Sequence, residues 1–290
     1  MSSRDTGTRN TGLSPSGLKA HPPPEAARRA RRFGSFYFAE HVLRSMRGYG
    51  WTIVASSVGT PVVYLFAMGI GLASLVDARA GNQGIGDVSY LTFVAPALLV
   101  TAAIMVANEE FSYPVMAGFK WRRIYHGPNA SPLSSSQIAT GHLMAVAVRL
   151  IFTCGIYFLI MMLFGAVPEA TGWLAAVVAV VCGLSFGLPL MAYAAGIEEE
   201  KGQFPMVMRF VVTPLFLFSG TVFPLDSLPM VVRWIGWLSP LWHGTELGRV
   251  FSYDYAEPVW LSVVHVVYLV ALALAGWAIA KRRYTRRLGK

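Results

Sequence analysis

The chain is short of charge. Of its 290 residues, 13% are Asp, Glu, Lys or Arg, about half of the roughly 25% that an ordinary soluble domain carries. That shortage excludes a typical soluble fold. Cysteine is scarce as well. Cys154 and Cys182 each lie inside an apolar stretch, with no CxxC spacing and no partnering histidine, so they read as small apolar helix residues and not as a metal or redox site. Enzyme signatures are missing. No GxxxxGK[ST] phosphate loop occurs, so the chain should not hydrolyse ATP unaided, and neither HExxH nor GxSxG is found. The six histidines do not cluster at ligand spacing; His126, His142 and His265 read as packed or interfacial side chains. The first 32 residues contain no apolar h-region of a secretory signal. They are polar, rich in Ser, Pro, Gly and Arg, and read as a disordered cytoplasmic tail ending in Arg28, Arg29, Arg31 and Arg32.

What is abundant is apolar surface. Hydrophobic residues make up 54% of the chain and the mean hydropathy is +0.50. About six apolar stretches have the ~20 residues that cross a bilayer as a helix. They lie at about 51–76, 90–107, 138–163, 173–197, 206–222 and 259–280. The expectation is an all-α polytopic membrane protein, with a membrane domain at 33–285 and a basic cytoplasmic tail at 286–290. The net charge of +9 flanks these stretches and forms no patch of its own, which argues against nucleic acid. Arg44 and Arg47 precede the first span. Lys120, Arg122 and Arg123 lie between the second and third. Lys281, Arg282, Arg283, Arg286, Arg287 and Lys290 follow the last. With six spans all three groups fall on one side, and the positive-inside rule makes that side cytoplasmic, both termini included. The opposite side receives Asp77, Arg79 and Asp87, a short turn at 167–172 and the segment 223–258.

Two segments are neither span nor simple loop. Residues 33–48, FGSFYFAEHVLRSMRG, can gather Phe36, Phe38, Val42, Leu43 and Met46 on one broad face, which predicts an amphipathic helix lying in the cytoplasmic interface. Residues 223–255 carry Trp234, Trp237 and Trp242, suited to an interfacial belt, and are divided by Pro224, Pro229 and Pro240. They predict short re-entrant helices that dip into the outer leaflet. Polar groups inside spans carry further information. Arg149 lies deep in the third span, where an ionisable side chain is expensive and faces the protein interior or a water-filled path. His142, seven residues earlier, shares nearly the same face. Two compatible roles are open for Arg149: an internal ion pair with Glu109 or Glu110 at the end of span two, or contact with an anionic headgroup of a substrate. Between the spans, Gly-Pro-Asn and Ser-Pro make turns, and one of Ser134, Ser135 and Ser136 can cap the helix that follows. Pro96, Pro189 and Pro214 predict kinks. Gly183 and Gly187 form a small-xxx-small pair that admits a close neighbour.

Several of these stretches together resemble a known family. "YLTFVAPALLVTAAIMVANEEF", the basic loop leading to "PLSSSQIATG", and above all "FLFSGTVFPLDSLPMVVRWIGWLSPLWHGTELGRVF" are similar to the permease subunits of type 2 ATP-binding-cassette exporters. Within that family the pattern is nearest to permeases for lipo-oligosaccharides of the nodulation-factor type, and drug-efflux permeases share it. The resemblance covers most of 33–285.

The resemblance implies a chain without a cofactor of its own. Cytoplasmic ATPase subunits, two copies, would bind the ATP. A second permease subunit, expected to be identical, and membrane lipids would be the other partners. It implies that Phe36, Arg44, Lys120, Trp121, Arg122, Arg123 and Tyr125 take up the motion of the ATPase. The resemblance carries over no substrate residues; it is the polar groups inside the spans, Arg149, His142, Glu109 and Glu110, that are expected to border the translocation path. Phe223, Pro224, Asp226, Pro229, Pro240 and His243 would belong to the extracellular gate, with Asp226 capping the next short helix. The expected function is export of an amphipathic substrate, a lipid-linked oligosaccharide or a lipophilic drug, across the cell membrane. An intramembrane lipid-modifying enzyme and a non-transporting scaffold are the alternatives. Glu109–Glu110 is the one acidic pair that an enzyme could use, and adjacent helix positions diverge by about 100°.

Overall fold

The computed structural model describes residues 23–73, 76 and 88–289. Among these the regular structure is helical, with no strand, as lipid demands of a backbone that must satisfy its own hydrogen bonds. Helix α1 (Pro23–Met46) passes through a 3-10 turn at Arg47–Tyr49 into α2 (Gly50–Phe66), which runs on into a π-helical stretch, Ala67–Leu72. Helix α3 (Tyr90–Phe111) breaks at Ser112 and continues as α4 (Tyr113–Phe119). A short α5 (His126–Asn129) leads to α6 (Ser135–Leu163), and α7 (Trp173–Gly196) follows. Then come α8 (Gln203–Val207), a π-helical stretch at Met208–Val212 and α9 (Thr213–Phe218). Helices α10 (Met230–Trp237) and α11 (Pro240–Tyr253) precede the last and longest, α12 (Val259–Leu288).

Among the described residues, five helical runs are long and apolar enough to cross a membrane: Ala27–Gly69, Tyr90–Phe119, Ser135–Leu163, Ala170–Gly196 and Val259–Leu288. They correspond to expected spans one to four and six. The fifth stretch, Gln203–Phe218, is shorter and changes to π turns in its middle. Pro214 has no backbone N–H to give the preceding turn, and the chain answers with the wider π turns of Met208–Val212 just before it.

Helix α3 is the axis of the bundle. Its most apolar window is 78% buried, against 17% for the first span and 22% for the last. Helix α7 lies against it through Gly183 and Gly187. A Cβ at Gly183 would stand 3.0 Å from the Ala103 carbonyl oxygen, and one at Gly187 would run into Phe111, so the small pair is where two backbones meet. Helix α12 crosses α7 in the same way, with Gly276 against Pro189.

Helix α1 begins at Pro23 and not near residue 33, so it includes part of the stretch expected to be disordered; residues 1–22 lie outside the description, as do Asp77, Arg79, Asp87 and Lys290. It packs along α6, burying Phe38, Ala39, Val42 and Met46, while the Gln137 side-chain amide donates to the Arg31 carbonyl at 2.7 Å. Phe36 does not share that face and is 61% exposed. The buried positions 38, 42 and 46 recur every four residues, and Phe36 stands two residues, about 200°, from Phe38. At its other end α12 runs on to Leu288 through the residues read as a basic tail. There Arg283 and Arg287 donate to the carbonyls of Ala192 and Ala195 at 3.0 and 2.9 Å, closing the last turn of α7.

Candidate functional site

At the basic end of the bundle a polar network joins four elements. Arg149 on α6 reaches both carboxylates at the end of α3, Glu109 at 2.7 Å and Glu110 through its other amino group. One guanidinium fork bridges two adjacent helix positions because its nitrogens diverge as the two carboxylates do. The Tyr49 hydroxyl also donates to Glu110, at 3.5 Å. His142, nearly two helical turns toward the start of α6, donates from Nε2 to the Glu110 carbonyl at 3.3 Å. Its Nδ1 therefore carries a lone pair and accepts from the Tyr125 hydroxyl, also at 3.3 Å. The residues expected along the path, Arg149, His142, Glu109 and Glu110, are thus brought together, and Tyr125 is tied to them.

From this network a groove of about 350 Å³ runs between α2, α3, α6 and α9. Glu109 and Arg149 line it at one end. Ser56, Thr60 and Tyr64 line it from α2, Thr153 and Tyr157 from α6, and Thr101 from α3, with Met105, Leu98 and Phe216 as apolar wall. Ser57 and Thr153 hydrogen-bond across it at 3.1 Å. These hydroxyls did not enter the expected site. Their signal is nonetheless in the sequence: Ser56, Thr60, Tyr64 and Arg149, Thr153, Tyr157 each recur at four-residue spacing, a polar stripe down one face of an otherwise apolar helix.

The residues expected to take up ATPase motion divide by burial. Trp121, Arg122 and Arg123 are exposed, Lys120 half-buried, and Phe36 and Arg44 exposed on the outer face of α1, where Arg44 pairs with Glu40 at 2.5 Å. Tyr125 is buried and not a contact surface. Its ring packs edge-on to Phe119 at 4.8 Å, against Tyr284 at 5.3 Å and Phe38 at 5.9 Å, and burial pushes its hydroxyl pKa up. It joins the 120–133 loop to α1, α6 and α12. The Asn129 amide adds a bond to the Leu288 carbonyl at 2.9 Å.

At the opposite end the segment after α9 folds as short helices. Pro224 opens a 3-10 turn at Leu225–Ser227, Pro229 precedes α10 and Pro240 is the first residue of α11. Ser239 caps α11, accepting from the Leu241 and Trp242 amides, and receives the Ser219 hydroxyl at 2.6 Å. Asp226 caps nothing. It lies inside the 3-10 turn, short of the start of α10, with its carboxylate in solvent and 3.4 Å from Arg233; α10 has no side-chain cap. Phe223 is partly exposed, whereas His243 is buried. The residue that organises this end is Arg249, 2% exposed. It pairs with Glu246 at 2.8 Å, donates to the Gly220 and Phe93 carbonyls at 2.7 and 3.3 Å, and lies 3.8 Å over the Phe93 ring. Burial pushes the Glu246 carboxyl pKa up against the opposing pull of Arg249. Beside this pair is a second cavity of about 280 Å³ reached by Asp226, Glu246, Tyr255 and Glu257. No group of three or more candidate metal ligands occurs among the described residues.

Known proteins share this pattern. The model of the ABC-2 type transporter family matches residues 41–253. Nodulation protein J of Rhizobium leguminosarum bv. viciae is 27% identical over 242 residues, covering 80% of this chain and 88% of that protein. Nodulation protein J of Rhizobium leguminosarum bv. trifolii is 28% identical over 238 residues, covering 78% and 84%. The inner membrane transport permease YadH of Escherichia coli is 24% identical over 249 residues, covering 84% and 93%. No solved structure matches the chain at a significant level.

Proposed function

The chain belongs to the ABC-2 type transporter family, and from that premise we propose that it is the membrane subunit of an exporter driven by ATP that a separate subunit hydrolyses. It is a multi-pass membrane permease. The cargo is amphipathic, with a polar head rich in hydrogen-bonding groups. The groove carries this reading: an ion pair at one end, hydroxyls at four-residue spacing along two walls, and Met105, Leu98 and Phe216 opposite. A saccharide head would exchange water for serine, threonine and tyrosine hydroxyls at little net cost, while an acyl chain would lie on the apolar wall or in lipid. The nodulation proteins among the relatives are compatible with a lipid-linked oligosaccharide, and the transport permease with export in general.

In the complete assembly two such chains, identical to each other, pair with two cytoplasmic ATPase subunits. The basic end faces them, with both termini inside. Trp121, Arg122 and Arg123 on the loop, with Phe36 and Arg44 on α1, present the contact surface. Tyr125 passes movement of that surface to His142 and the Glu110–Arg149 pair. Residues 223–255, including Phe223, Pro224, Asp226, Pro229, Pro240 and His243, form the external gate.

Co-purification in mild detergent, followed by reconstitution, tests this directly. An ATPase subunit should stay with the chain, and its turnover should rise with a lipid-linked oligosaccharide more than with a lipophilic drug. Loss of every ATPase on purification would overturn the reading. Stimulation by drug alone would reassign the cargo.

A further inference from the structure

Where α11 meets α12, three buried side chains stand in a row. The Glu257 carboxylate lies 2.9 Å from His265 Nε2, with the Ser262 hydroxyl donating to its other oxygen at 2.6 Å. His265 Nδ1 faces His243 Nδ1 at 2.5 Å. His243 Nε2 lies 3.0 Å from the Trp237 carbonyl oxygen. Edge-on Trp242 closes one side, its ring 4.8 Å from His265, and Tyr268 stacks on His243 with centroids 4.0 Å apart.

The hydrogen-bond partners determine how many protons this row holds. A carbonyl oxygen only accepts, so His243 Nε2 must carry a proton. If His243 is neutral, its Nδ1 presents a lone pair, and His265 Nδ1 must be the donor. His265 then has two possible states. Its Nε2 is bare and Glu257 is protonated, or its Nε2 is protonated and the row contains an imidazolium beside a carboxylate. If His243 is instead the charged ring, the total is unchanged. Every satisfied arrangement has one proton more than an ionised Glu257 with two neutral imidazoles. Without it one contact must fail: either the bare Nε2 of His265 faces the ionised Glu257 carboxylate, or the two Nδ1 lone pairs of His265 and His243 face each other. Burial, and next the neighbouring His265, hold the His243 pKa down to about 4.

We infer that Glu257, His265 and His243 form a one-proton site that locks the gate helix α11 to the last span α12, and that the lock releases when the proton leaves. His243 is on α11 and His265 on α12, so this N–H···N bond is a tie between the two helices. When the proton leaves, the ionised Glu257 holds the remaining His265 proton on Nε2, because a charged acceptor makes the stronger bond, and the two Nδ1 lone pairs are left facing each other. The sign follows: the locked form is favoured at low pH and lost as pH rises. Other titratable groups surround the row. Glu246 and Arg249 on α11 pair with each other at 2.8 Å. Cys182 on α7 donates its thiol to the Pro240 carbonyl at 3.1 Å. Asp226 and Tyr255 line the same cavity as Glu257. None of these hydrogen-bonds to a histidine of the row. The proton count rests on hydrogen-bond geometry; its meaning as a lock rests on the proposed reading of 223–255 as the gate.

Two substitutions remove the need for the extra proton while keeping the hydrogen bond between position 243 and His265. In His243→Gln the amide N–H donates to His265 Nδ1. In Glu257→Gln the amide N–H donates to His265 Nε2, and its Nδ1–H donates to His243. The test uses the full chain in lipid nanodiscs, spin-labelled at Val231→Cys on α10 and Val259→Cys on α12, both exposed positions. Distances between labels are measured from about pH 5 to about pH 9, the range over which histidine sites titrate. The wild-type background should show one narrow distance at low pH and a longer, broader one at high pH. The ratio of locked to open should fall about tenfold per pH unit, the slope of a single proton. Both variants should stay narrow throughout. A flat wild-type profile would overturn the proposal, and so would variants that keep the wild-type pH dependence, because the titrating group would then lie elsewhere. If one variant fails to insert, the other carries the comparison. Co-purification with an ATPase is a separate measurement, so failure of the lock and failure of the transporter reading are distinguishable.

Discussion

Arg149 holds two carboxylates of unequal burial, and that inequality sets the expected effect of each substitution. The Glu110 side chain is 5% exposed and that of Glu109 63%. Removing one partner of a buried ion pair leaves an uncompensated charge and costs about 3–5 kcal/mol. Glu110→Gln and Arg149→Ala should therefore lower the thermal midpoint of the purified protein sharply, whereas Glu109→Gln, an exposed partner, should change stability by less than ~1 kcal/mol. Arg149→Lys keeps the charge but not the fork, so it should fold and lose one of the two contacts. Transport through a well-expressed Arg149→Ala variant would remove Arg149 from the path. The need for an anion near Arg149 was legible, because a lone arginine in an apolar run is untenable without one. Which glutamate it takes was not, since both lie within reach of a guanidinium. The pairing of His243 with His265 was illegible for another reason: they are 22 residues apart on separate helices, and no spacing rule links such positions.

Helices carry the next level of expectation. Gly276 faces Pro189 where α12 crosses α7, and Gly276→Val has no room for its side chain. It should reduce the folded yield by a destabilisation of about 1–3 kcal/mol, the usual effect of overpacking, whereas Gly155→Val, at an open position on α6, should leave the yield unchanged. Tyr125→Phe removes one hydrogen bond to His142, about 1 kcal/mol, and keeps the aromatic cluster. Tyr125→Ala empties that cluster; it should preserve membrane insertion while uncoupling cargo from ATP turnover, measured as loss of cargo-stimulated activity with basal activity retained. Span positions were legible because lipid requires long apolar runs, and so was a serine cap at the start of α6, where Ser134, one of three adjacent serines, makes the capping box with Gln137. The orientation of Phe36 was not read correctly, because aromatics at 36 and 38 were placed on one helical face although only every third or fourth residue shares one. Asp226 was misread because a residue that suits an N-cap does not cap when the helix starts after the next proline.

For the whole molecule, the distribution of Lys and Arg predicts sidedness. A cysteine placed at Arg122 should react with a membrane-impermeant thiol reagent only in inside-out vesicles, and one at Val231 only from the external side of intact cells. Labelling of both from one side would invert or break the proposed topology. The basic residues made this end recognisable in the sequence, whereas the groove was not, since it is assembled from α2, α3, α6 and α9, whose neighbours are set by packing and not by chain order.

The short helix Gln203–Phe218 has a consequence for the lipid itself. At 1.5 Å per residue it rises about 24 Å, less than the ~30 Å hydrocarbon core. Its neighbours are full-length, so the mismatch is confined to one side of the bundle, the side where Phe216 borders the groove. Such a mismatch is met by local thinning of the bilayer, by snorkelling of the flanking residues or by pairing with a second chain. Where thinning is the answer, a polar head moving along the hydroxyl stripe meets a shorter stretch of hydrocarbon at this wall, and export should run faster in membranes of short-chain lipid than in thick ones.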